Sequence, residues 1–218
     1  MNSTPRMCGV ILAAGESSRM GTDKALLRWP PAAPGAIASA GETLLSAAIL
    51  ALKPLTEEVI VVAGKNAGDL TPIVNANGAL LVQNPAPERG QFSSLQVGLR
   101  EVLARGYDAA IVTPVDCPPL SAATLEHLRT SFLKALSLGR WAVAPESRGK
   151  HGHPLLAGHD LIEAFLQAPA TSNAREIKRA LEQFIEYVPV PDLFVNVDVN
   201  TPEEYAALFA PDSLRPHD

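Results

Sequence analysis

The feature that most constrains the fold is an apolar run near the start of the chain that has no polar alternation. Val10, Ile11 and Leu12 follow one another within residues 7–13. A strand with one face in water alternates apolar and polar side chains, whereas a strand covered on both faces does not. The run therefore predicts a central strand of a parallel sheet that carries helices on both sides.

Similar strand-like runs alternate with helical patterns along the rest of the chain. We expect strands at 7–13, 58–63, 79–83, 109–113, 141–145, 153–157, 184–189 and 193–197. We expect helices at 43–52, 93–104, 122–138, 160–167, 174–183 and 202–209. Ser121 is a candidate N-cap, and Thr201 to Glu204 form a candidate capping box with proline at the first helical position. The alternation indicates an α/β fold with a Rossmann-like, doubly wound, mostly parallel sheet, to which the final third adds an antiparallel part.

The length and the composition favour one domain with a sizeable core. The chain has 218 residues, of which 47% are hydrophobic, and it shows no internal repeat and no domain boundary. Residues 29–41 are rich in proline and alanine and have no periodicity. We interpret them as a surface loop inserted in a single domain that spans residues 1–218.

The net charge and the cysteine content indicate which classes of partner and which cellular compartment to expect. The net charge of −5 argues against a general nucleic-acid surface, which would be basic. No apolar run approaches the roughly 20 residues that a membrane-spanning helix needs. Two cysteines, Cys8 and Cys117, do not make a disulfide framework. We expect a cytoplasmic protein without nucleic-acid or membrane partners.

The loop after the first strand is rich in small residues and carries two cations. The stretch GVILAAGESSRMGTDKALL matches neither the G-x-G-x-x-G dinucleotide fingerprint nor the Walker phosphate loop. Ala13, Ala14 and Gly15 allow a ligand to approach backbone N–H groups, and Arg19 and Lys24 suit a polyphosphate. The alternative is a flexible loop with two solvated cations.

Two aspartates follow apolar runs and are candidate metal ligands. Asp116 lies in IVTPVDCPPL, and Asp198 lies in FVNVDVN, with Asn196 or Asn200 as possible helpers. A carboxylate at the carboxyl end of a strand is well placed to hold Mg²⁺, which takes one or two carboxylates together with phosphate oxygens. The alternatives are an aspartate in a proline turn and an Asx turn before a helix.

A glycine and two serines mark the start of the helix expected near residue 93. Gly90, Ser93 and Ser94 lie in GQFSSLQVG. Free N–H groups and hydroxyls at a helix start suit a base edge or a phosphate. The alternative is an ordinary N-cap.

These stretches together resemble the MobA-like NTP transferases. LAAGESSRMGTDK, VDCPPL, GHPLL and NVDVNTPEEY follow in the family's order over nearly the whole chain. The resemblance implies the fold of nucleotide-diphospho-sugar transferases and a reaction in which an acceptor phosphate attacks the α-phosphorus of a nucleoside triphosphate and pyrophosphate leaves. It implies that Arg19 and Lys24 hold phosphates and that Asp116 and Asp198 hold Mg²⁺. The nucleotide-binding residues that it implies are Leu12, Ala13, Ala14, Gly15, Arg19, Lys24, Gly90, Ser93 and Ser94, and the catalytic residues are Arg19, Lys24 and Asp116.

The resemblance also implies the substrates. Leu12 to Gly15 read LAAG, which is similar to the cytidylyl branch, whereas the guanylyl branch usually has LAGG, so we expect CTP. The implied acceptor is a molybdopterin-type cofactor, whose pocket His153 and Arg175 line, and a recipient molybdoenzyme is an expected partner. The alternatives are a guanylyltransferase that uses GTP and a non-catalytic pterin-cofactor chaperone. In the family's strand order Cys8 and Cys117 lie at opposite ends of the sheet, so we predict no disulfide.

Overall fold

The computed structural model describes residues 4–17, 20–30, 42–169 and 171–208 as a sheet with helices on both faces. The strands are β1 Met7–Ala13, β2 Glu58–Ala63, β3 Leu80–Gln83, β4 Ala109–Pro114, β5 Ala142–Ser147, β6 Lys150–His151, β7 Leu155–Gly158 and β8 Ile185–Pro189. The helices are α1 Leu44–Leu52, α2 Ala67–Ala76, α3 Gln91–Ala104, α4 Ala122–Ser137, α5 His159–Gln167, α6 Ala174–Ala180 and α7 Pro202–Ala207. Of the predicted proline-alanine loop at 29–41, all but Trp29 and Pro30 lie outside the described residues.

The sheet has a parallel part and an antiparallel part, as the sequence predicts. Its strand order is β3-β2-β1-β4-β7-β5-β6, and β8 pairs with β5. Strands β3, β2, β1 and β4 are parallel, with Val10 opposite both Ile60 and Val112. Strand β7 runs antiparallel to β4 and to β5, while β5 and β8 are parallel. The first and fourth strands are therefore neighbours at the centre of the sheet.

The core consists of two apolar layers, one on each face of the sheet. In β1, Ile11 packs with side chains of α1, α2 and α4 on one face. The adjacent residue Val10 packs with side chains of α3 and α5 on the other face. Both side chains are fully buried. Burial on both faces explains the missing polar alternation in β1 and confirms the doubly wound arrangement.

Two helix starts have the caps that the sequence predicts. The Ser121 hydroxyl accepts a hydrogen bond from the Thr124 N–H at the start of α4. At the start of α7, Thr201 and Glu204 form the reciprocal capping box. Each cap supplies partners for N–H groups that have none within the helix.

Two local predictions are wrong, and two elements, α2 and β6, were not predicted. Residues 193–197 are not a strand but a 3-10 turn at Leu193–Asn196, because the Asp192 carboxylate accepts from the Phe194 N–H and caps the turn. Helix α2 was not predicted, since Gly68 and Pro72 weaken its local helical pattern. The helix expected at 174–183 ends at Ala180 and continues as a separate 3-10 turn.

The cysteines agree with the prediction. Cys8 and Cys117 are both free and buried. Cys8 lies opposite Ala110 near the amino end of β4, whereas Cys117 follows the carboxyl end of that strand. Within the described ranges, every helix is too short or too polar to span a bilayer.

Candidate active site

A cavity of about 330 Å³ opens at the carboxyl ends of β1 and β4. Its walls come from the loop after β1, from the start of α3, from the end of β4 and from Asn200. Nine of the residues that the sequence singles out line it: Leu12, Ala13, Ala14, Gly15, Lys24, Gly90, Ser94, Asp116 and Asn200. Ligands of open α/β sheets bind at this edge, so these residues occupy the place where a ligand is expected.

Lys24 joins three of the segments that form the cavity. Its Nζ atom donates to Asp116 Oδ2 at 2.9 Å and to Asn200 Oδ1 at 2.8 Å. The side chains of Lys24 and Asp116 are only 14% and 25% exposed. The Lys24 backbone N–H donates to the Ser17 hydroxyl. An ammonium group is therefore held in the cavity wall by a carboxylate and an amide oxygen.

Asn66 supports the loop after β1 from behind, although the sequence analysis did not single it out. Its Nδ2 atom donates to the Ala13 carbonyl at 2.9 Å and to Asp23 Oδ2 at 2.6 Å. Its Oδ1 atom accepts from the Gly64 N–H. Asn66 is the N-cap residue of α2, which begins at Ala67, and it was missed together with that helix.

The start of α3 places one of the two predicted serines in the cavity. Ser94 lines the cavity, and its hydroxyl accepts from Asn84 Nδ2 at 3.0 Å, which leaves its proton available to a ligand. Ser93 does not line the cavity; its hydroxyl donates to the Gly90 carbonyl at 2.7 Å. Gly90 has a φ of 91°, which favours glycine at this position. Asn84, which is 2% exposed, is a second residue that the sequence analysis missed.

The segments that carry Asp116 and Asp198 lie side by side. The Val199 N–H donates to the Asp116 carbonyl at 2.9 Å, and the Cys117 thiol donates to Asp198 Oδ1 at 3.1 Å. Burial and the Asp198 carboxylate raise the pKa of the Cys117 thiol, which therefore stays protonated. Asp198 itself is exposed and is not among the lining residues of the cavity.

The residues present fit a divalent cation whose remaining ligands come from a substrate. No group of three or more His, Cys, Asp or Glu side chains in the described ranges is arranged to hold a metal by itself. Mg²⁺ usually takes one or two protein carboxylates and completes its shell with phosphate oxygens and water. Asp116 and Asn200 line the cavity and carry oxygen atoms of this kind, and Asp198 is held beside Asp116 by the contacts above. Asn196 does not contribute, because its Nδ2 atom donates to the Ser147 carbonyl elsewhere.

The two residues expected to bind the acceptor do not line the cavity. His153 is largely buried, and its Nδ1 atom has no hydrogen-bond partner in the described structure. Burial and, to a smaller extent, the charge of Lys178 lower the pKa of His153 to about 4, so its ring is neutral at pH 7. Arg175 is exposed on α6. Arg19, the third predicted catalytic residue, lies outside the described residues.

Sequence comparison places the chain among nucleotide-dependent transferases. The MobA-like NTP transferase domain matches residues 9–185. A probable molybdenum cofactor guanylyltransferase from Rhodopirellula baltica is 32% identical over 124 residues, which are 57% of this chain and 54% of that protein. The chain thus matches about half the length of that relative. The molybdenum cofactor cytidylyltransferase of Escherichia coli is 24% identical over 198 residues, which are 90% of this chain and 92% of that protein.

A solved structure has the same fold. The crystal structure of Rv0371c from Mycobacterium tuberculosis superposes with a TM-score of 0.70 and 21% sequence identity. The superposition covers 93% of this chain and 97% of that one.

Proposed function

Because the chain belongs to the MobA-like NTP transferase domain family, we propose that it transfers a nucleoside monophosphate from a nucleoside triphosphate to a phosphate acceptor and releases pyrophosphate. The observation that carries the proposal is the position of Lys24. Its ammonium group lies in the wall of the cavity at the carboxyl edge of the sheet, 2.9 Å from Asp116. A polyphosphate in this cavity meets a cation that is already positioned.

The chemistry of the reaction suits these residues. A phosphate acceptor is already anionic near neutral pH, so its oxygen attacks the α-phosphorus without a general base from the protein. The remaining tasks are to align the two substrates and to stabilise the charge that develops on the phosphate oxygens. Lys24 and Arg19 perform the second task in this proposal. Ala13, Ala14 and Gly15 admit the nucleotide close to the backbone. Gly90 and Ser94 form the base or ribose side, and Ser93 supports Gly90 through its hydrogen bond to the Gly90 carbonyl.

We assign Mg²⁺ to Asp116 and Asp198, with Asn200 beside them. When bound, the cation neutralises phosphate charge during transfer. The charges of the cavity support this assignment. Among its described lining residues, Glu16, Asp23 and Asp116 are acidic and Lys24 is basic. A triphosphate that enters such a cavity needs further positive charge. In this proposal, Arg19 and a divalent cation supply it.

We propose CTP as the nucleotide and a molybdopterin-type cofactor as the acceptor. The LAAG sequence at Leu12 to Gly15 supports CTP. The alternative is GTP, which is favoured by the relative named a guanylyltransferase. The names of both curated relatives support the molybdenum cofactor as acceptor. His153 and Arg175 would contact this acceptor outside the nucleotide cavity, and a molybdoenzyme would receive the product.

We propose the cytoplasm as the place of action. Both cysteines are free thiols in the structure. The Cys117 thiol serves as a hydrogen-bond donor to Asp198, which requires that it stays reduced.

Thermal unfolding with Mg²⁺ and, in separate samples, CTP, GTP, ATP or UTP tests the choice of nucleotide. A ligand present at about 100 times its Kd adds roughly 2.7 kcal/mol to the free energy of unfolding, which raises Tm by several degrees. We expect the rise with CTP. A rise with GTP alone would assign the guanylyl alternative. If no triphosphate raised Tm and molybdopterin alone did, the chaperone alternative would replace the proposed function.

Pyrophosphate release with molybdopterin as acceptor tests the transfer reaction. We expect Lys24→Ala to lower turnover about 100-fold or more, since it removes a preorganised charge at the reacting phosphates. Lys134→Ala, on the exposed side of α4, is the matched control and should keep the wild-type rate. Near-normal turnover in a folded Lys24→Ala protein would refute the proposed role of the cavity.

A further inference from the structure

We propose that Cys117 is a positioning residue that holds Asp198 in place for the divalent cation. The inference rests on the proposed function, in which Asp116 and Asp198 hold Mg²⁺. Cys117 directly follows Asp116 in the chain, and its thiol donates to Asp198 Oδ1 at 3.1 Å. Cys117 is thus linked to Asp116 by a peptide bond and to Asp198 by a hydrogen bond, so it connects the residues that carry the two carboxylates.

The thiol is buried, whereas the carboxylate that it contacts is at the surface. Cys117 is 5% exposed and is flanked by Asp116 and two prolines. Asp198 is exposed, and in the described part of the chain the thiol is the only hydrogen-bond donor to its carboxylate. The backbone beside Asp198 is fixed by the bond from the Val199 N–H to the Asp116 carbonyl. Without the thiol, the backbone would stay in place but the carboxylate would rotate freely.

For Asp198, a neutral hydrogen-bond donor has an advantage over a positively charged one, because it does not compensate the charge of the carboxylate. Asp116 is paired with the ammonium group of Lys24, so its charge is already compensated. A thiol hydrogen bond orients Asp198 and leaves its negative charge available. One oxygen accepts from the thiol, and Oδ2 remains open to a metal ion. Outer-shell hydrogen bonds of this kind commonly change metal affinity about 10- to 100-fold.

Mn²⁺ binding to the full chain, measured by the EPR signal of the free ion, tests the inference without relying on activity. The titrations use CTP or GTP, as the thermal shifts indicate, at no more than the concentration of the protein and without acceptor, and a titration of the nucleotide alone corrects for Mn²⁺ bound to free nucleotide. We expect Cys117→Ala to weaken Mn²⁺ binding about tenfold. Cys117→Ser keeps a donor at nearly the same place and should stay within about threefold of the wild type. Cys8→Ala, which removes the other buried thiol at the opposite end of the sheet, should leave binding unchanged.

Cys117→Val is a second variant without a donor and fills more of the volume of the thiol than alanine does. It replaces Cys117→Ala if that protein does not fold, as judged by thermal unfolding in EDTA. Wild-type Mn²⁺ affinity in each donor-free variant that folds would overturn the inference while leaving the proposed function intact. Serine and alanine variants that are equally weak would also overturn it, since volume rather than the donor would then matter. If the wild-type protein with nucleotide bound no more Mn²⁺ than the nucleotide alone, the proposed metal site and this inference would both be overturned.

Discussion

At the scale of single residues, Asp116 has two roles that oppose each other. It compensates the charge of Lys24 at 2.9 Å, and in our proposal it also holds the cation. A triphosphate without metal must therefore compete with Asp116 for Lys24 and meets the negative charge of the carboxylate. A metal ion that takes over Asp116 would release Lys24 to the phosphates. We therefore expect the bound metal ion to increase the affinity for the nucleotide, and the bound nucleotide to increase the affinity for the metal ion.

Asp116→Asn separates these roles. In EDTA, we expect the variant to bind the metal-free nucleotide about fivefold more tightly, because removing one nearby negative charge is worth about 1 kcal/mol at a partly exposed site. In Mg²⁺, its turnover should fall about 100-fold or more, since the carboxylate ligand is lost. Isothermal titration in EDTA and pyrophosphate release in Mg²⁺ measure the two effects. Unchanged nucleotide affinity in EDTA would mean that Asp116 does not restrain Lys24.

At the scale of elements, helix α3 approaches the sheet through a glycine. A Cβ atom on Gly98 would lie 2.7 Å from Val10 Cγ1 and 2.9 Å from Val62 Cγ2. Both valines are fully buried in central strands and have little room to move. This close contact positions the start of the same helix, and with it Gly90 and Ser94, against the cavity.

Gly98→Ala should therefore lower the free energy of unfolding by about 1–3 kcal/mol, although alanine has the higher helix propensity. Gly68→Ala in α2 is the matched control, because a Cβ atom there has no heavy atom within 4 Å. It should raise the free energy of unfolding by up to about 1 kcal/mol. Urea denaturation of both variants measures the difference. A stabilised Gly98→Ala protein would show that α3 can move away from the strands.

The same elements explain what the sequence could predict. Strand β1 was predictable with its bounds because burial on both faces leaves a visible apolar run. Helix α2 was not predictable, because Gly68 and Pro72 weaken its helical pattern. Packing of Leu70 and Val74 in the core stabilises the helix in spite of them. The apolar residues at 193–197 look like a strand, yet a local cap at Asp192 makes them a 3-10 turn.

The site was predictable where it depends on chain position and not where it depends on distant partners. Ala13 ends β1, Asp116 closely follows β4 and Gly90 directly precedes α3, so their convergence at the carboxyl edge follows from a parallel sheet. Asn66 was missed because helix α2 was missed and because its role depends on Ala13, which is 53 residues away. No local pattern indicates a hydrogen bond between residues so far apart in the chain.

At the scale of the whole molecule, the antiparallel part of the sheet brings a buried histidine close to the carboxylates. The backbone N–H of His153 donates to the Val195 carbonyl, which connects residue 153 to the segment that carries Asp198. Burial lowers the pKa of His153 most, Lys178 lowers it further, and Asp198 and Asp116 act in the opposite direction. The net result is a neutral imidazole with a pKa of about 4 in the folded protein.

This depressed pKa makes the stability of the whole protein depend on pH in a defined window. In the unfolded chain His153 takes up a proton near its ordinary pKa of about 6.5, while the folded protein stays unprotonated until about 4. Stability should therefore decrease as the pH falls from about 6.5 towards 4, with a slope that approaches 1.4 kcal/mol per pH unit. Carboxylates with a lowered pKa, such as Glu58, lose their contribution only as the pH falls through about 4.5 and below. The interval between pH 6.5 and 5 thus isolates the histidine.

Urea denaturation at several pH values within this interval measures the slope. His153→Gln cannot take up a proton in either state, so its stability should change less between pH 6.5 and 5 than that of the wild type, whatever its absolute stability. His127→Gln, at an exposed position on α4, should keep the wild-type slope. An unchanged slope in His153→Gln would mean that His153 accepts a proton in the folded protein as readily as in the unfolded chain. Its ring would then be available as a cation beside Asp198, and its contribution to acceptor binding would have to be electrostatic rather than that of a neutral hydrogen-bonding group.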